Sequence, residues 1–158
     1  MSLFGRWLEP NADQLLVAGA VLEKTIKSDC PTLAEIRGDS LFSWEWDDRF
    51  SAHLSTVEQA QTGEALHTLE SRFPLRFDKK TAKKASRQTK KAIQEVGGLQ
   101  KNQFYFNRQE APPQLLYCIW WPWQSDERVS VRIGYHLDNI QPSDQDDVCR
   151  AFKGWLDS

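Results

Sequence analysis

No apolar run in this 158-residue chain approaches the roughly 18 residues that a membrane span needs. The most apolar short run, Leu15 to Leu22, has eight residues. Met1 to Pro10 carries Arg6 and Glu9 and lacks a long apolar core with a small-residue cleavage site, so no signal peptide is expected. Cysteine is scarce. Cys30, Cys118 and Cys149 are odd in number and widely spaced, which leaves at least one thiol unpaired within a monomer. That pattern predicts a reducing compartment without a disulfide framework, and the expected location is cytoplasmic. Histidine is scarce too. His53, His67 and His136 show no metal-ligand spacing and no local pairing with Cys, so no metal site is expected. The chain lacks His-Glu-x-x-His, a Gly-rich phosphate loop and Gly-x-Ser-x-Gly. These missing motifs argue softly against an enzyme, and no small-molecule cofactor is expected. A large net charge is also missing. The value is −2, with a pI near 5.9, so the molecule as a whole exerts no strong pull on nucleic acid or an anionic membrane.

Aromatics are plentiful, at 11% with seven tryptophans, in a chain that is 40% hydrophobic and 27% charged. That suits one packed domain, read as 1–158. The run Leu115 to Trp121 is apolar at every position and predicts a strand covered on both sides. Arg128 to Asp138 alternates. Val129, Val131, Ile133, Tyr135 and Leu137 point one way, and Ser130, Arg132, Gly134 and His136 point the other. This predicts a neighbouring strand with one wet face. Gln103 to Asn107 begins the three-strand block, and Arg108 to Pro113 reads as a loop.

A first helix is expected from Pro10-Asn11 to about Lys27, stopped by Asp29-Cys30-Pro31. Thr32 with Glu35 predicts a second short helix ending at Gly38. Leu41 to Trp46 alternates as a strand, with a hairpin through Asp47-Asp48 into Arg49 to Leu54. Ser55 with Glu58 predicts a helix to Pro74 along Val57, Ala60, Ala65, Leu69 and Phe73. Asp78 to Val96 reads as one helix ended by Gly97-Gly98, and Ser143 opens the last, with Val148, Phe152 and Trp155 inside. The sum is an α+β fold, with an antiparallel sheet of three to five strands and helices mainly on one face.

Three candidate surfaces emerge. The helix 78–96 carries Lys79, Lys80, Lys83, Lys84, Arg87, Lys90 and Lys91. This could be an anion-binding ridge, although a solvated face is the plainer explanation. With one Arg and no aromatic, it suits an acidic protein better than nucleic acid. Trp44, Trp46 and Trp123 are candidate interface anchors, set against ordinary core and edge packing. Arg132 and His136 lie on the polar side of the last strand, where an exposed sheet face is the plainer reading. Glu64, His67 and Glu70 share a helical face that could serve acid–base work, but surface charge explains them as well.

The leading expectation is a non-enzymatic protein that binds another protein. Trp44, Trp46, Trp123, Lys83, Arg87, Lys90 and Arg132 are its candidate partner-binding residues. In size and composition the chain resembles bacterial immunity proteins, small α+β domains that neutralise a cognate toxin. The resemblance implies a toxin with an acidic surface as partner and transfers no individual residue. Two alternatives stand beside it. One is a nucleic-acid-binding regulator using the Lys-rich helix 78–96. The other is an enzyme with a site around Tyr135, His136 and Arg132 and a distant carboxylate. No membrane association is expected.

Overall fold

A strand without a polar side needs packed layers over both of its faces. In the computed structural model, which describes residues 20–108, 116–125, 127–137 and 142–157, the apolar run has them. The strands are β1 (Glu45–Asp47), β2 (Ala52–Val57), β3 (Leu75–Phe77), β4 (Phe104–Asn107), β5 (Leu116–Pro122) and β6 (Val129–Tyr135). They form one antiparallel sheet in the order β1-β2-β6-β5-β4-β3. The helices among the described residues are α1 (Ala20–Gly38), α2 (Thr62–Arg72), α3 (Arg87–Glu95) and α4 (Pro142–Lys153). The fold is therefore α+β, with six strands among the described residues rather than three to five. The strand absent from the sequence expectation is β3. Three residues between Pro74 and Asp78 are too few to show a period.

The chain divides into two compact units, Ser40–His136 and Met1–Asp39 with Leu137–Ser158. The first holds the whole sheet, α2 and α3. In its register, Tyr117 lies opposite Gly134, Ile119 opposite Arg132, and Tyr105 opposite Ile119. These side chains share one face with Asp47, Leu54 and Asn107. On that face Tyr105, Tyr117 and Ile119 join Ala92, Ile93, Val96 and Leu99 in a core cluster, so α3 and the chain just after it cover this side of the sheet. The other face carries Cys118, Trp120, Val129, Val131 and Ile133, all buried. β5 is thus buried on both sides, as its composition demands. Burial pushes the Cys118 thiol far above its ordinary pKa. The wet face expected on β6 is not wet, because Arg132 and Gly134 are buried under the α3 side.

In the second unit, α1 runs through Pro31, where a stop was expected. Proline inside a helix costs about 3 kcal/mol. Ile26, Leu33 and Ile36 are almost fully buried. Each contributes roughly 1.5–3 kcal/mol, enough together to carry the helix across the proline. The Thr32–Glu35 pattern is therefore helix interior, although Gly38 does end the element. The expected start at Pro10-Asn11 and the loop beyond Arg108 lie outside the described residues. α4 keeps its expected inner stripe, with Val148, Phe152 and Trp155 buried and the last two rings stacked at 6.1 Å. The helix expected from Ser55 starts only at Thr62. Ser55 lies in β2, where its hydroxyl accepts a hydrogen bond from the Ser43 amide at 3.0 Å. Ala65, Leu69 and Phe73 are still the buried positions of that segment.

Any side chain at position 134 would crowd the Tyr117 ring. A Cβ there would sit 2.5 Å from the Tyr117 hydroxyl oxygen and 2.7 Å from Cζ. The Tyr117 ring stacks on Tyr105 at 5.4 Å and has no room to retreat. Gly134→Ala is expected to cost about 1–3 kcal/mol in urea unfolding. In a Tyr117→Leu background the same change should cost a fraction of that. Equal costs in both backgrounds would place the strain elsewhere.

Candidate functional site

The basic segment folds in two pieces, not as one helix. Asp78 opens it with an Asx turn, accepting hydrogen bonds from the amides of Lys80 at 2.9 Å and Thr81 at 2.7 Å. The Thr81 amide, then the Thr81 hydroxyl and the Lys80 amide, hold the Asp78 carboxyl below its ordinary pKa, with Arg76 adding to the effect. A short 3-10 turn follows at Thr81–Lys84. Ala85 is extended, and Ser86 caps a new helix, α3. The Ser86 hydroxyl accepts from the Thr89 amide at 3.2 Å and lies 3.1 Å from the Thr89 hydroxyl. Thr89 in turn accepts from Asn107 Nδ2 at 2.8 Å, which ties the helix start to β4. An internal serine that offers its own cap competes with helix continuation.

All seven basic residues of the segment are exposed. Lys79, Lys80, Lys83, Lys84, Arg87 and Lys90 form no ion pair among the described residues. The rest of the chain, with 13 basic and 22 acidic residues, carries a net charge of −9. Arg87 also sits where a helix disfavours positive charge. The first turn of α3 contains Arg87 and no acid, and its last turn contains no base. Positive charge near a helix N-terminus opposes the macrodipole, at about 0.3–1 kcal/mol per exposed group.

The break at Ala85-Ser86 has a geometric consequence. In an unbroken helix Ala82 and Ile93 would stand about 16 Å apart along the axis. Here they line one groove of about 360 Å³ with Lys83, Lys90 and Gln94. Ile93 belongs to the core cluster and Ala82 packs against it, so the floor is apolar and fixed. Two unpaired ammonium groups belong to the same lining.

The polar residues of β6 have gone inside. Arg132 Nε donates to Asp47 Oδ2 at 3.0 Å, with both side chains largely buried. Its guanidinium also lies 4.8 Å from the Phe50 ring and 4.9 Å from the Trp121 ring. Arg132 therefore offers nothing to a partner at the surface. His136 Nδ1 lies 3.0 Å from Glu95 Oε2, and its side chain is 3% exposed. A carboxylate partner at Nδ1 sets a histidine up for acid–base work. Yet Nε2 is buried without a hydrogen-bond partner among the described residues, and a substrate cannot reach it. Tyr135 points to the opposite sheet face, so the residues of the enzymatic alternative do not converge. Glu64 and His67 are exposed on α2, and Glu70 accepts from Arg76 at 2.9 Å.

The three candidate tryptophans are half-buried and engaged within the chain. Trp44 stacks on Phe42 at 5.1 Å. Trp46 donates to Asp48 at 2.8 Å and meets His53 edge-on. By register Trp46 lies on the sheet face opposite α3, away from the groove. Trp123 donates to Ser130 at 2.8 Å beneath the Arg128 guanidinium, and closes the turn between β5 and β6. Of the sequence candidates, the structure brings Lys83 and Lys90 together. Sequence reasoning missed Ala82, Ile93 and Gln94. The available signal was Ser86, three residues before Thr89, inside a stretch otherwise read as continuous helix.

Comparisons with protein-family models, with curated proteins and with solved structures return no match for this chain.

Removing one member of a buried ion pair strands the other. Asp47→Ala is expected to cost about 3–5 kcal/mol in urea unfolding, and Asp47→Leu with Arg132→Met far less. A cost for Asp47→Ala of about 1 kcal/mol or below, the range of exposed pairs, would contradict the burial described here.

Proposed function

We propose that this protein works by binding another protein, through an acidic patch of that partner laid on the basic strip 79–91. The finer reading is an inhibitor of the immunity or antitoxin type, which neutralises a bacterial toxin by direct contact. One observation carries the proposal. Six cations of the strip are exposed and unpaired in a chain whose remainder is acidic, and Arg87 among them stands in the first turn of α3, where it opposes the macrodipole. A charge kept at a cost in stability, among neighbours that find no partner in the fold, points to a use outside it. Lysines on a surface steer an acidic partner and raise its association rate. Nucleic acid is the weaker reading. Residues 79–94 hold one arginine and no aromatic, so bidentate and stacking contacts are largely missing. The buried His136 gives the enzymatic reading no accessible group.

Capture from extract of the native host, run in parallel with and without nuclease treatment, tests the proposal. The wild-type protein should retain one acidic protein in equal amount and release it at high salt. The variant Lys83→Glu/Arg87→Glu/Lys90→Glu should retain none. Co-production with that partner should relieve growth inhibition if the partner is a toxin. Recovery of nucleic acid without a stoichiometric protein overturns the proposal. A second prediction separates function from stability. Arg87→Glu should stabilise the fold by about 0.3–1 kcal/mol, because it places an acid at the helix start, and should weaken capture.

A further inference from the structure

We infer that the groove between the 3-10 turn and α3 is an anchor site for one large apolar side chain of the partner, held in a segment whose flanking residues are carboxylates. The inference rests on the protein-binding reading above and names the chemistry that the strip selects. Three observations meet at this place. The volume, about 360 Å³, sits at the low end of ligand pockets, which run from about 300 to 1,000 Å³. That suits a single side chain with its adjoining backbone better than a helix laid lengthwise. The apolar lining is Ala82 and Ile93, both held against the core cluster, so it is preformed and binding orders little on this side. The charged lining is Lys83 and Lys90, exposed and without ion partners among the described residues. Both belong to the same groove, so carboxylates beside the anchor would meet an ammonium group.

The lining also says what the occupant is not. Aliphatic groups give a nucleobase nothing to stack on, and an ammonium group does not grip a phosphate in the bidentate way a guanidinium does. The Gln94 amide, with one acceptor and two donors, suits the backbone of an extended peptide. Such an arrangement follows the usual division of labour at protein interfaces. A buried apolar anchor supplies affinity, and the surrounding charge supplies orientation and rate.

Fluorescein-labelled short peptides test the inference on the full chain at low salt. One peptide carries a central tryptophan flanked on each side by glutamates, and the other has alanine in place of the tryptophan. The tryptophan peptide should bind about ten- to a hundredfold more tightly, the effect of burying one large apolar side chain. In Ala82→Phe, which fills the groove, that ratio should fall to near one while the alanine peptide binds as before. Amide chemical shifts of the wild-type protein supply a readout that needs no variant. Ala82, Ile93 and Gln94 should move with the tryptophan peptide and stay in place with the alanine peptide. Equal affinity for both peptides, lost in Lys83→Glu/Lys90→Glu, overturns the anchor site and leaves the basic strip as the binding surface. Binding of neither peptide overturns the anchor site, while the capture experiment above decides the protein-binding reading by itself. Tighter binding of a labelled single-stranded oligodeoxynucleotide, shifting the same three amides, overturns the anchor in favour of nucleic acid.

Discussion

A guanidinium cannot be buried alone, and this constraint organises the sheet unit. Arg132 sits on β6, one of the two middle strands, at 6% exposure. Its counter-charge, Asp47, comes from the other end of the sequence, at the edge of the sheet. The two oxygens of that carboxylate divide the work. Oδ2 accepts from Arg132, and Oδ1 accepts from the Arg49 amide at 3.0 Å, which bends the loop after β1. The bend brings Phe50 over the guanidinium and edge-on to Trp121, at 5.5 Å between ring centroids. Ser51 completes it in the left-handed region, at φ 49°. A single ion pair thereby fixes the β1–β2 hairpin against β5 and β6 and closes one end of the cluster that α3 covers.

The rest of that face follows from the same economy of space. Gly134 is empty so that Tyr117 can lie flat across β6, and Tyr117 in turn carries Tyr105. Burial drives both phenols well above their ordinary pKa. They are neutral spacers at any physiological pH. The small inner positions of α3, Thr89 and Ala92, match this flat aromatic layer, because bulky residues there would hold the helix off the rings. The side of α3 turned away from these rings carries its basic residues, all exposed. The geometry of the core and the exposure of the strip are therefore one fact seen from two sides.

Much of this was legible where a periodic signal ran long enough. The three strands after Gln103, the hairpin at Asp47-Asp48, the inner stripe of the last helix and the ends at Gly38 and Gly97 all follow from local chemistry that tertiary structure did not override. The failures share a cause. Pro31 and the Ser55–Glu58 pair are local signals that lost to burial of Ile26, Leu33 and Ile36 and to strand pairing of β2. The polar side of β6 was read as wet because alternation reports polarity, not exposure. Arg132 needed a partner 85 residues away in sequence to be buried, and no local pattern announces that. The groove was invisible for a related reason. It depends on two residues, Ala82 and Ile93, that the interruption of the helix at Ala85-Ser86 brings together.

Net charge was the least informative of the sequence totals. A value of −2 suggests a molecule indifferent to charged partners, yet it is the sum of seven clustered cations and a remainder at −9. Screening at physiological ionic strength cuts interactions off at about 8 Å, so an approaching surface feels the strip and not the total. On the proposed reading, an acidic partner would be drawn to one place and repelled elsewhere, which would orient the encounter before contact. Orientation alone does not hold a complex together, since exposed ion pairs contribute little at equilibrium. Retention requires apolar area within reach of the charges. On this protein the break at Ala85-Ser86 puts Ala82 and Ile93 in the same lining as Lys83 and Lys90. A straight helix with the same residues would present the same charges without that apolar lining.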